Sequence, residues 1–383
     1  MVKLIYILIK LTEVAVFIAV GKRLSNLKDD KKYWQTAMPA IITFALVDGL
    51  RYLRMGDYLG NLSLFTYLSS YFQEGIEPLY TFLMYSCKTA GIGLCGFLVI
   101  QSSILMIAIF MLLKRYRKYA VYSVPLILPL IILNEHFTRW FMAFSFIIIS
   151  YVYMSEKKYL FAGLYMILAQ MTHNAIVPFI PMIIIYPLLN KRIIPIPITV
   201  VLIIFTTLFS DISNFTLITQ LSEFLLNSGL IKEGSMANHL LHTDELISGE
   251  YLELGMMSTA LYVNIINLAK TIPIVIFSAA IAKKENAIYI YNIVAIGLIA
   301  HPLLSQVELL GRYTLCLNCF LFITAAMFYK SAISIKKRYS IKCWIALISL
   351  ILYFYPTISI IFNRGTDIDM LFIWDAYSNI KYL

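Results

Sequence analysis

Ionisable residues gather where the apolar segments of this chain end, beginning with a run near the N-terminus. Arg51, Arg54 and Asp57 follow the apolar residues 36–50, and Glu77 precedes the next apolar segment. Arginine binds phosphate through paired hydrogen bonds, and a carboxylate can accept a proton or position a hydroxyl group. The run therefore predicts a chemical site, and a solvated loop with ordinary surface ion pairs is the alternative interpretation.

Three later segment ends carry similar residues. Arg139 lies in EHFTRW, His173 in MTHNA, and Glu308 with Arg312 in QVELLGRY. By itself, Arg139 is typical of an arginine that extends toward lipid headgroups, and His173 of a hydrogen-bonded helix end. Arg312 lies about one turn inside an apolar segment, where an unpaired cation costs at least about 2.5 kcal/mol. If Arg312 has only a structural role, we expect it to form an ion pair with Glu308, four residues earlier on the same helix face.

Together, these residues predict a site for an anionic ligand that is anchored in lipid. Guanidinium groups keep their charge and suit a lipid pyrophosphate better than lysine does. Arg312 is expected to face Arg139 and to hold phosphate oxygens of the ligand. Asp57 and Glu77 are the expected base or hydroxyl-orienting groups, with His173 as the reserve base. The chemistry that combines such groups is glycosyl transfer on the outer face of a membrane.

The composition excludes an ordinary water-soluble fold. Hydrophobic residues make up 60% of the 383 residues and charged residues only 14%, and the mean hydropathy is +0.80. This apolar surface cannot be buried in a core of ordinary composition, so we predict a polytopic membrane protein. The net charge of +10 comes from short basic clusters between apolar segments, where Lys and Arg set membrane orientation. Nucleic-acid binding is therefore excluded.

The apolar segments predict an all-α fold that crosses the membrane many times. A bilayer core about 30 Å thick needs about 20 apolar residues per helix, and the chain offers about twelve such segments. No internal repeat is visible among them. The predicted transmembrane helices are residues 4–20, 36–50, 92–113, 119–133, 139–154, 159–172, 174–190, 193–209, 259–282, 287–305, 309–329 and 343–361.

The positions of lysine and arginine predict the orientation of the chain. In the twelve-helix arrangement, 20 of the 31 basic residues fall in the loops of one side, which is therefore expected to be cytoplasmic. Both termini and most acidic residues are then external, as are two long segments, residues 51–91 and 210–258. We expect residues 1–383 to form a single integral-membrane domain, with no soluble domain attached.

The external segments are expected to contain amphipathic surface helices. In the first segment, apolar residues recur at the spacing of one helix face, which predicts a helix lying on the bilayer surface. In the second, a similar apolar face predicts another surface helix or a lid. The residues of the first face are Tyr58, Leu62, Phe65, Leu68 and Phe72.

Two patterns that elsewhere bind metal are better explained without it. Cys316 and Cys319 form a C-x-x-C inside an apolar segment that offers no second pair of ligands, so we expect them to pack in the core. Asp367 and Asp369 form a D-x-D in the external tail, for which a solvated charged tail is the favoured interpretation. We therefore expect neither a metal nor another cofactor.

Several short motifs in order along the chain carry a family resemblance. They are RYLRMGDY, EPLY, TRWFMAFS, EKKY, MTHNAIV and GRY, spread over residues 40–330. In this order the chain resembles the EpsG-like family of polysaccharide polymerases, relatives of the Wzy O-antigen and capsule polymerases. The family pattern R-x-x-x-G-T-D-Y carries over to Arg51, Gly56, Asp57 and Tyr58, without the threonine and one residue short unless Arg54 shifts the register. Its R-Q pair corresponds to Arg139 followed by tryptophan.

The resemblance implies a GT-C-like membrane glycosyltransferase of the bacterial cytoplasmic (inner) membrane, with its active site facing outward. Its substrates would be oligosaccharide repeat units carried on undecaprenyl pyrophosphate, and a hydroxyl of the incoming unit would displace the lipid pyrophosphate. No nucleotide sugar is required. Membrane lipids, a chain-length regulator and a flippase are the implied partners. The implied ligand-binding residues are Arg51, Arg54, Tyr58, Arg139, Glu308, Arg312 and Tyr313.

Two alternative functions remain open on the sequence. A flippase for the same lipid-linked sugars also suits about twelve helices, but transporters are typically built from repeats with ionisable groups near the membrane midplane. Here the charged residues lie at the external ends of segments, which favours the polymerase. A ligase that moves finished glycan to another acceptor would use the same residues.

Overall fold

The computed structural model describes residues 2–52, 57–73, 75–131, 137–208, 261–305, 308–333, 340–363 and 371–372. These residues are almost entirely helical, in agreement with the predicted all-α class. In the first half of the chain the helices are α1 (Val2–Ser25), α2 (Tyr33–Gly49), α3 (Asp57–Tyr67), α4 (Pro78–Thr89), α5 (Leu94–Lys114), α6 (Ala120–Leu130), α7 (Thr138–Ser155), α8 (Tyr159–Thr172), α9 (Phe179–Ile184) and α10 (Tyr186–Leu189).

The second half continues the same pattern. Its helices are α11 (Ile196–Leu208), α12 (Leu261–Lys284), α13 (Ile288–Leu304), α14 (Glu308–Cys319), α15 (Leu321–Ala332) and α16 (Ile341–Asn363). Short 3-10 helices lie at Asp30–Lys32, Arg117–Tyr119 and Asn174–Ile176. Two strands of two residues each, β1 (Arg51–Tyr52) and β2 (Leu371–Phe372), pair in antiparallel fashion.

The chain divides into two compact units. The first contains Met1–Leu188 together with Tyr353–Leu383. Within it α7 packs on α8 and α5, α2 packs on α5, and α1 packs on α6 and α2. Small residues allow close approach at these crossings, since a Cβ on Gly49 of α2 would lie 2.5 Å from backbone atoms of Val99 in α5.

The second unit contains Leu189–Leu352. In this unit α13 packs on α14, and α12 contacts α11, α13 and α15. Asn292 of α13 joins the loop before α11 to this bundle, because its amide donates to the carbonyls of Leu189 (2.6 Å) and Arg192 (2.7 Å). Its Oδ1 accepts from the Ile194 amide at 2.9 Å. A buried asparagine thus satisfies backbone groups that would otherwise be unpaired in an apolar setting.

Helices occupy the described parts of all twelve predicted segments, but two of them are broken. Residues 174–190 form three short helical pieces instead of one helix, and residues 309–329 are divided between α14 and α15, which are bent by 40°. Pro178 and Pro181 lie in the first of these segments, and proline interrupts helical hydrogen bonding.

Length and composition identify fewer transmembrane helices than the sequence predicts. In the described part of the chain, Leu4–Ser25, Leu94–Lys114 and Val263–Lys284 are long and apolar enough to cross a membrane. The bent pair α14 and α15 would make a fourth, and several shorter apolar helices accompany them. Many large apolar side chains are exposed on the outer helix faces, as lipid contact requires. The count of twelve stays a prediction.

The first predicted surface helix is present but shorter than its apolar pattern indicated. Helix α3 ends at Tyr67, and the Lys88 amine of α4 donates to the carbonyls of Thr66 (2.7 Å) and Leu68 (2.8 Å). A cation that binds terminal carbonyls stabilises a helix end. Tyr58, Leu62 and Phe65 lie in this helix, but Leu68 and Phe72 lie beyond its end, so the assignment of these two residues to the helix face was wrong. The second external segment, 210–258, lies outside the described residues.

Candidate functional site

Glu77 is the centre of a polar cluster in the first unit. It precedes α4 in an extended conformation, and Pro78 occupies the first turn of the helix, where its missing N–H group costs nothing. The Glu77 residue is only 8% exposed. A carboxylate at such a position needs polar partners, because leaving a buried charge unpaired is costly.

Three groups supply these partners. Glu77 Oε1 lies 2.8 Å from His173 Nδ1 and accepts the Asn174 backbone N–H at 3.1 Å. Glu77 Oε2 accepts from Arg139 Nη1 at 3.4 Å. We call Glu77, Arg139, His173 and the Asn174 amide the Glu77 cluster. It joins α4, the start of α7 and the junction after α8.

The break in the chain after α8 places two of these partners. Helix α8 ends at Thr172, His173 is extended (φ −159°, ψ 117°), and a 3-10 helix begins at Asn174. The turn directs both the His173 ring and the Asn174 amide at one carboxylate oxygen. Gln170 supports the turn, because its side-chain amide donates to Asn174 Oδ1 at 3.2 Å.

These contacts keep Glu77 ionised. Burial alone would raise the pKa of its carboxyl group, but the hydrogen bond and charge of His173, together with the Asn174 amide, lower the pKa to about 2. The Arg139 contact is long and its side chain is 36% exposed, so His173 is the stronger partner. An ionised carboxylate can only accept, so His173 Nδ1 must be the donor in this pair.

The histidine ring is held from the side as well. Trp140 meets it edge-on, with the ring centroids 5.4 Å apart and an angle of 80° between the planes. Trp140 is 2% exposed and also contacts Phe179 of α9. With Nδ1 donating to Glu77 and the ring fixed by Trp140, Nε2 is the ring nitrogen that can meet a substrate.

Tyr80 positions the arginine of the cluster. The Arg139 Cζ atom lies 5.7 Å from the centre of the Tyr80 ring, within the range of a cation–π contact. The Tyr80 hydroxyl donates to Asn61 Oδ1 of α3 at 2.8 Å, and its ring meets Phe97 of α5 edge-on. Because Tyr80 is fully buried, it holds the guanidinium in place while leaving part of it accessible.

A second set of buried polar groups joins α2, α5 and α7 close to Arg139. The Ser102 hydroxyl donates to Asp48, and the Gln101 amide donates to the Thr138 carbonyl at 3.4 Å. Asp48, Gln101, Ser102 and Thr138 are all buried. Since Thr138 precedes Arg139, these contacts fix the start of α7, from which the arginine projects.

The second unit has its own polar cluster inside apolar helices. His301 Nδ1 of α13 lies 2.8 Å from Thr314 Oγ1 of α14, and that hydroxyl donates to the Gly311 carbonyl at 2.8 Å. The hydroxyl therefore accepts from His301. Ionisable groups in apolar helices are rarely retained without a role.

A family model matches residues 36–367 of the chain, and it describes the EpsG family. The chain belongs to the EpsG family. The match covers the Glu77 cluster and extends through both units, as the short sequence motifs indicated. Together with its apolar helices, it makes the chain a membrane protein of polysaccharide biosynthesis. No curated protein and no solved structure was found to match the chain.

The structure of this EpsG family member brings three predicted site residues together and describes others only in part. Glu77, Arg139 and His173 share one cluster, and the buried Tyr58 begins α3 nearby in sequence. Arg312 and Tyr313 are half-buried residues of α14 in the second unit. Arg54 lies outside the described residues, as do the side chains of Arg51, Asp57 and Glu308.

The sequence also contained two patterns that elsewhere bind metal, the C-x-x-C of the two cysteines and the D-x-D of the acidic tail. Cys316 and Cys319 are free thiols, both almost fully buried in α14, as the packing interpretation predicts. Asp367 and Asp369 lie outside the described part of the chain.

Sequence reasoning missed the residues that support the cluster. Tyr80 lies in the EPLY motif, three residues after Glu77, and this spacing places the two on one face at the start of a helix. Asp48 opens the ionisable run that the sequence singles out, at the end of an apolar segment, but its partner Ser102 was not predicted. Asn61 and Ser102 gave no comparable signal, since both are uncharged polar residues inside predicted helices.

Proposed function

We propose that this EpsG family protein is a polysaccharide polymerase that joins oligosaccharide repeat units carried on undecaprenyl pyrophosphate. The observation that carries the proposal is the Glu77 cluster, in which a buried carboxylate orients one histidine and holds one arginine. Such an arrangement can remove a proton from a sugar hydroxyl and bind a phosphate beside it. Glycosyl transfer from a lipid pyrophosphate needs both.

In the proposed reaction, a hydroxyl of the incoming unit attacks the anomeric carbon at the lipid-linked end of the growing chain. A new C–O bond forms, the bond between that carbon and the pyrophosphate oxygen breaks, and undecaprenyl pyrophosphate leaves with the bonding electrons. His173 Nε2 takes the hydroxyl proton as the new bond forms. Glu77 stabilises the resulting imidazolium through its 2.8 Å contact to Nδ1.

This assignment makes His173 the base and Glu77 its orienting group. A carboxylate whose pKa is held near 2 is a weak proton acceptor at neutral pH. An imidazole whose other nitrogen donates to that carboxylate is a much better one. The sequence-based expectation was that Asp57 or Glu77 positions or deprotonates the hydroxyl, with His173 as the reserve base. In this proposal His173 is the base and Glu77 orients it.

Arg139 is the proposed ligand of the pyrophosphate in the first unit. It contacts Glu77 through a single long hydrogen bond, and 36% of its side chain remains accessible. A guanidinium group has five N–H donors, which leaves enough of them to bind phosphate oxygens. Charge that develops on the leaving pyrophosphate would be stabilised by this fixed cation.

The remaining candidates keep the roles that the family resemblance implies. Asp57 stays a predicted participant in hydroxyl activation, and the ligand-binding roles of the others stay predictions. We further propose the outer face of the bacterial cytoplasmic membrane as the location, with a chain-length regulator and a flippase as partners. The other proposed ligand-binding residues are Arg51, Arg54, Tyr58, Glu308, Arg312 and Tyr313.

The test of the function uses purified protein in detergent with a lipid-pyrophosphate-linked repeat unit as the only substrate. A polymerase forms a ladder of products and releases lipid pyrophosphate in equal number to the bonds formed. A flippase has no second compartment in a micelle and would leave the substrate unchanged. A ligase would use an added acceptor but would not lengthen the lipid-linked chain.

Substitutions of arginine by lysine test whether the Glu77 cluster is needed for this activity. Arg139→Lys keeps the charge but loses the planar donor group, and we expect bond formation to fall by about 10²-fold or more. Arg117→Lys is the matched control, because Arg117 forms an ion pair with Asp30 in another part of the unit. Equal activity of both lysine variants would remove Arg139 from the mechanism.

A further inference from the structure

A basic cavity lies at the opposite end of α2 from Asp48. Its volume is about 750 Å³, and it opens where α1 ends and α2 begins. Cavities of this size accommodate small ligands or lipid headgroups. The residues that line it include Lys22, Arg23, Lys28 and Lys32.

The lining is strongly cationic. Asp29 is the single acidic residue among those that line the cavity. Its carboxylate accepts the Lys31 amide at 2.9 Å and so caps the 3-10 helix that starts at Asp30. Asp30 forms its ion pair with Arg117 and is not part of the lining. The four basic side chains therefore outnumber their nearby acidic partners, and the cavity attracts anions.

An apolar surface leads directly into this cavity. Leu8, Leu11 and Ile18 of α1 are 47–54% exposed and lie on one helix face, which continues one turn later to Lys22. On α2, which runs back beside α1, Met38 and Ile42 are 45% and 49% exposed. Exposed apolar side chains of this kind, on helices that span a bilayer, face acyl chains.

We propose that this cavity binds the phosphate headgroup of an anionic phospholipid, whose acyl chains lie along the exposed apolar faces of α1 and α2. Basic pockets at the ends of transmembrane helices recognise such headgroups. The adjoining apolar stripe distinguishes a lipid from a free phosphate, because a soluble anion would gain nothing from it. The proposal is independent of the polymerase activity.

The test measures lipid retained by the full-length protein. The protein is purified from nanodiscs that contain equal amounts of phosphatidylglycerol and phosphatidylcholine, and native mass spectrometry counts the bound molecules. We expect selective retention of phosphatidylglycerol. Replacing Lys22, Arg23, Lys28 and Lys32 by glutamine should weaken this binding by roughly fivefold for each charge removed.

The matched control removes the same number of charges elsewhere. Lys157, Lys191, Lys283 and Lys284 are exposed and lie outside the cavity lining. Their replacement by glutamine should leave the retained phosphatidylglycerol unchanged. An equal loss in this control variant would mean that diffuse charge holds the lipid, and the proposed site would be rejected.

A second variant fills the cavity without altering any charge. Ala19 is exposed and lines the cavity, so Ala19→Trp should displace the lipid in a protein that keeps all its basic residues. Ala280→Trp is its control, because Ala280 is an exposed alanine of another helix, α12, and lies outside the cavity lining. This control variant should retain the lipid. Retention of phosphatidylglycerol by Ala19→Trp would overturn the proposal.

Soluble competitors decide between a lipid and a free phosphate. Inorganic phosphate or glycerol 3-phosphate, added at millimolar concentration, should leave the bound phosphatidylglycerol in place, because neither contacts the apolar stripe. Displacement by these anions would show a site for soluble phosphate and would contradict the assignment to a lipid.

Discussion

Glu77 and His173 have different proposed roles because their contacts differ. The carboxylate is held ionised by its two contacts on one oxygen, whereas the imidazole has one nitrogen fixed as a donor. The first property makes Glu77 a structural and electrostatic partner. The second leaves His173 Nε2 as the ring nitrogen that can meet a substrate hydroxyl.

The lowered pKa of Glu77 predicts how stability depends on pH. Its folded-state pKa of about 2 lies below the ordinary value of 4.5, so the ionised carboxylate stabilises the fold above pH 4.5. This contribution, on the order of 3 kcal/mol, is lost as the pH falls from 4.5 toward 2. Glu77→Gln removes the titrating group, so its thermal stability in detergent should be lower at neutral pH and vary less over that interval.

Glu156→Gln is the control for this measurement. Glu156 is exposed and pairs with Lys158 at the surface, where such pairs contribute little. Its replacement should leave both the stability and the pH dependence near those of the unaltered protein. Identical pH profiles for Glu77→Gln and the unaltered protein would contradict the derived role of Glu77.

Arg312 provides a separate prediction in the second unit. Arg312 is a proposed pyrophosphate ligand. Its replacement by lysine should leave the protein folded but should impair polymer formation, because lysine lacks the planar pair of donors. Cells with Arg312→Lys should contain little polymer and accumulate single lipid-linked repeat units at normal protein abundance. Polymer of normal length from Arg312→Lys, with low abundance of Arg312→Ala, would make Arg312 a structural residue only.

The sequence predicted the members of the Glu77 cluster but not their contacts. Each residue was selected because it ends an apolar segment and could do acid–base or phosphate chemistry. The bonds that join them span 62 residues from Glu77 to Arg139 and 96 residues to His173. No local spacing encodes such distances. The contacts between these distant segments determine that Glu77 is ionised and that His173 Nδ1 is the donor.

At the scale of elements, the close crossing of α2 and α5 positions the start of α7. Gly49→Ala would place a methyl group 2.5 Å from Val99 backbone atoms and push these helices apart. It should also disturb the buried contact between Asp48 and Ser102. We expect a loss of about 1–3 kcal/mol of stability, typical of overpacking, measured by thermal unfolding in detergent.

Gly60→Ala is the matched control on a neighbouring helix. Gly60 lies in α3, and a Cβ there would meet nothing within 4 Å. Alanine favours a helix over glycine by about 1 kcal/mol, so this variant should be neutral or slightly more stable. If both glycine variants unfold like the unaltered protein, close packing of α2 on α5 is not needed.

Helix positions were largely predicted, whereas the interruptions inside two of the predicted helices were not. Apolar segments of sufficient length indicate helices because backbone groups in lipid must pair within one segment. The break at His173 was predicted, because the apolar segments 159–172 and 174–190 meet there, whereas the break at Phe320 falls inside residues 309–329, which were predicted as one helix. The break at His173 matters most, since it directs this ring and the Asn174 amide toward Glu77.

At the scale of the whole molecule, the distribution of basic residues predicts which segments face outward. A single cysteine at Ser70, in the first external segment, should react with an impermeant maleimide added outside intact cells. A single cysteine at Lys284, at the end of α12, should react only after the membrane is permeabilised. Both positions are exposed, and the native cysteines are removed first. Labelling of both from the same side would contradict the predicted topology.

Chemical rescue tests whether His173 accepts the hydroxyl proton when two repeat units are joined. The measured quantity is the rate of bond formation by purified His173→Ala with and without added imidazole. We expect the substitution to lower the rate by about 10²–10⁴-fold, and added imidazole to raise it in proportion to the concentration of neutral imidazole. A folded His173→Ala protein that works at the full rate, or whose low rate does not respond to imidazole, would contradict this role of His173.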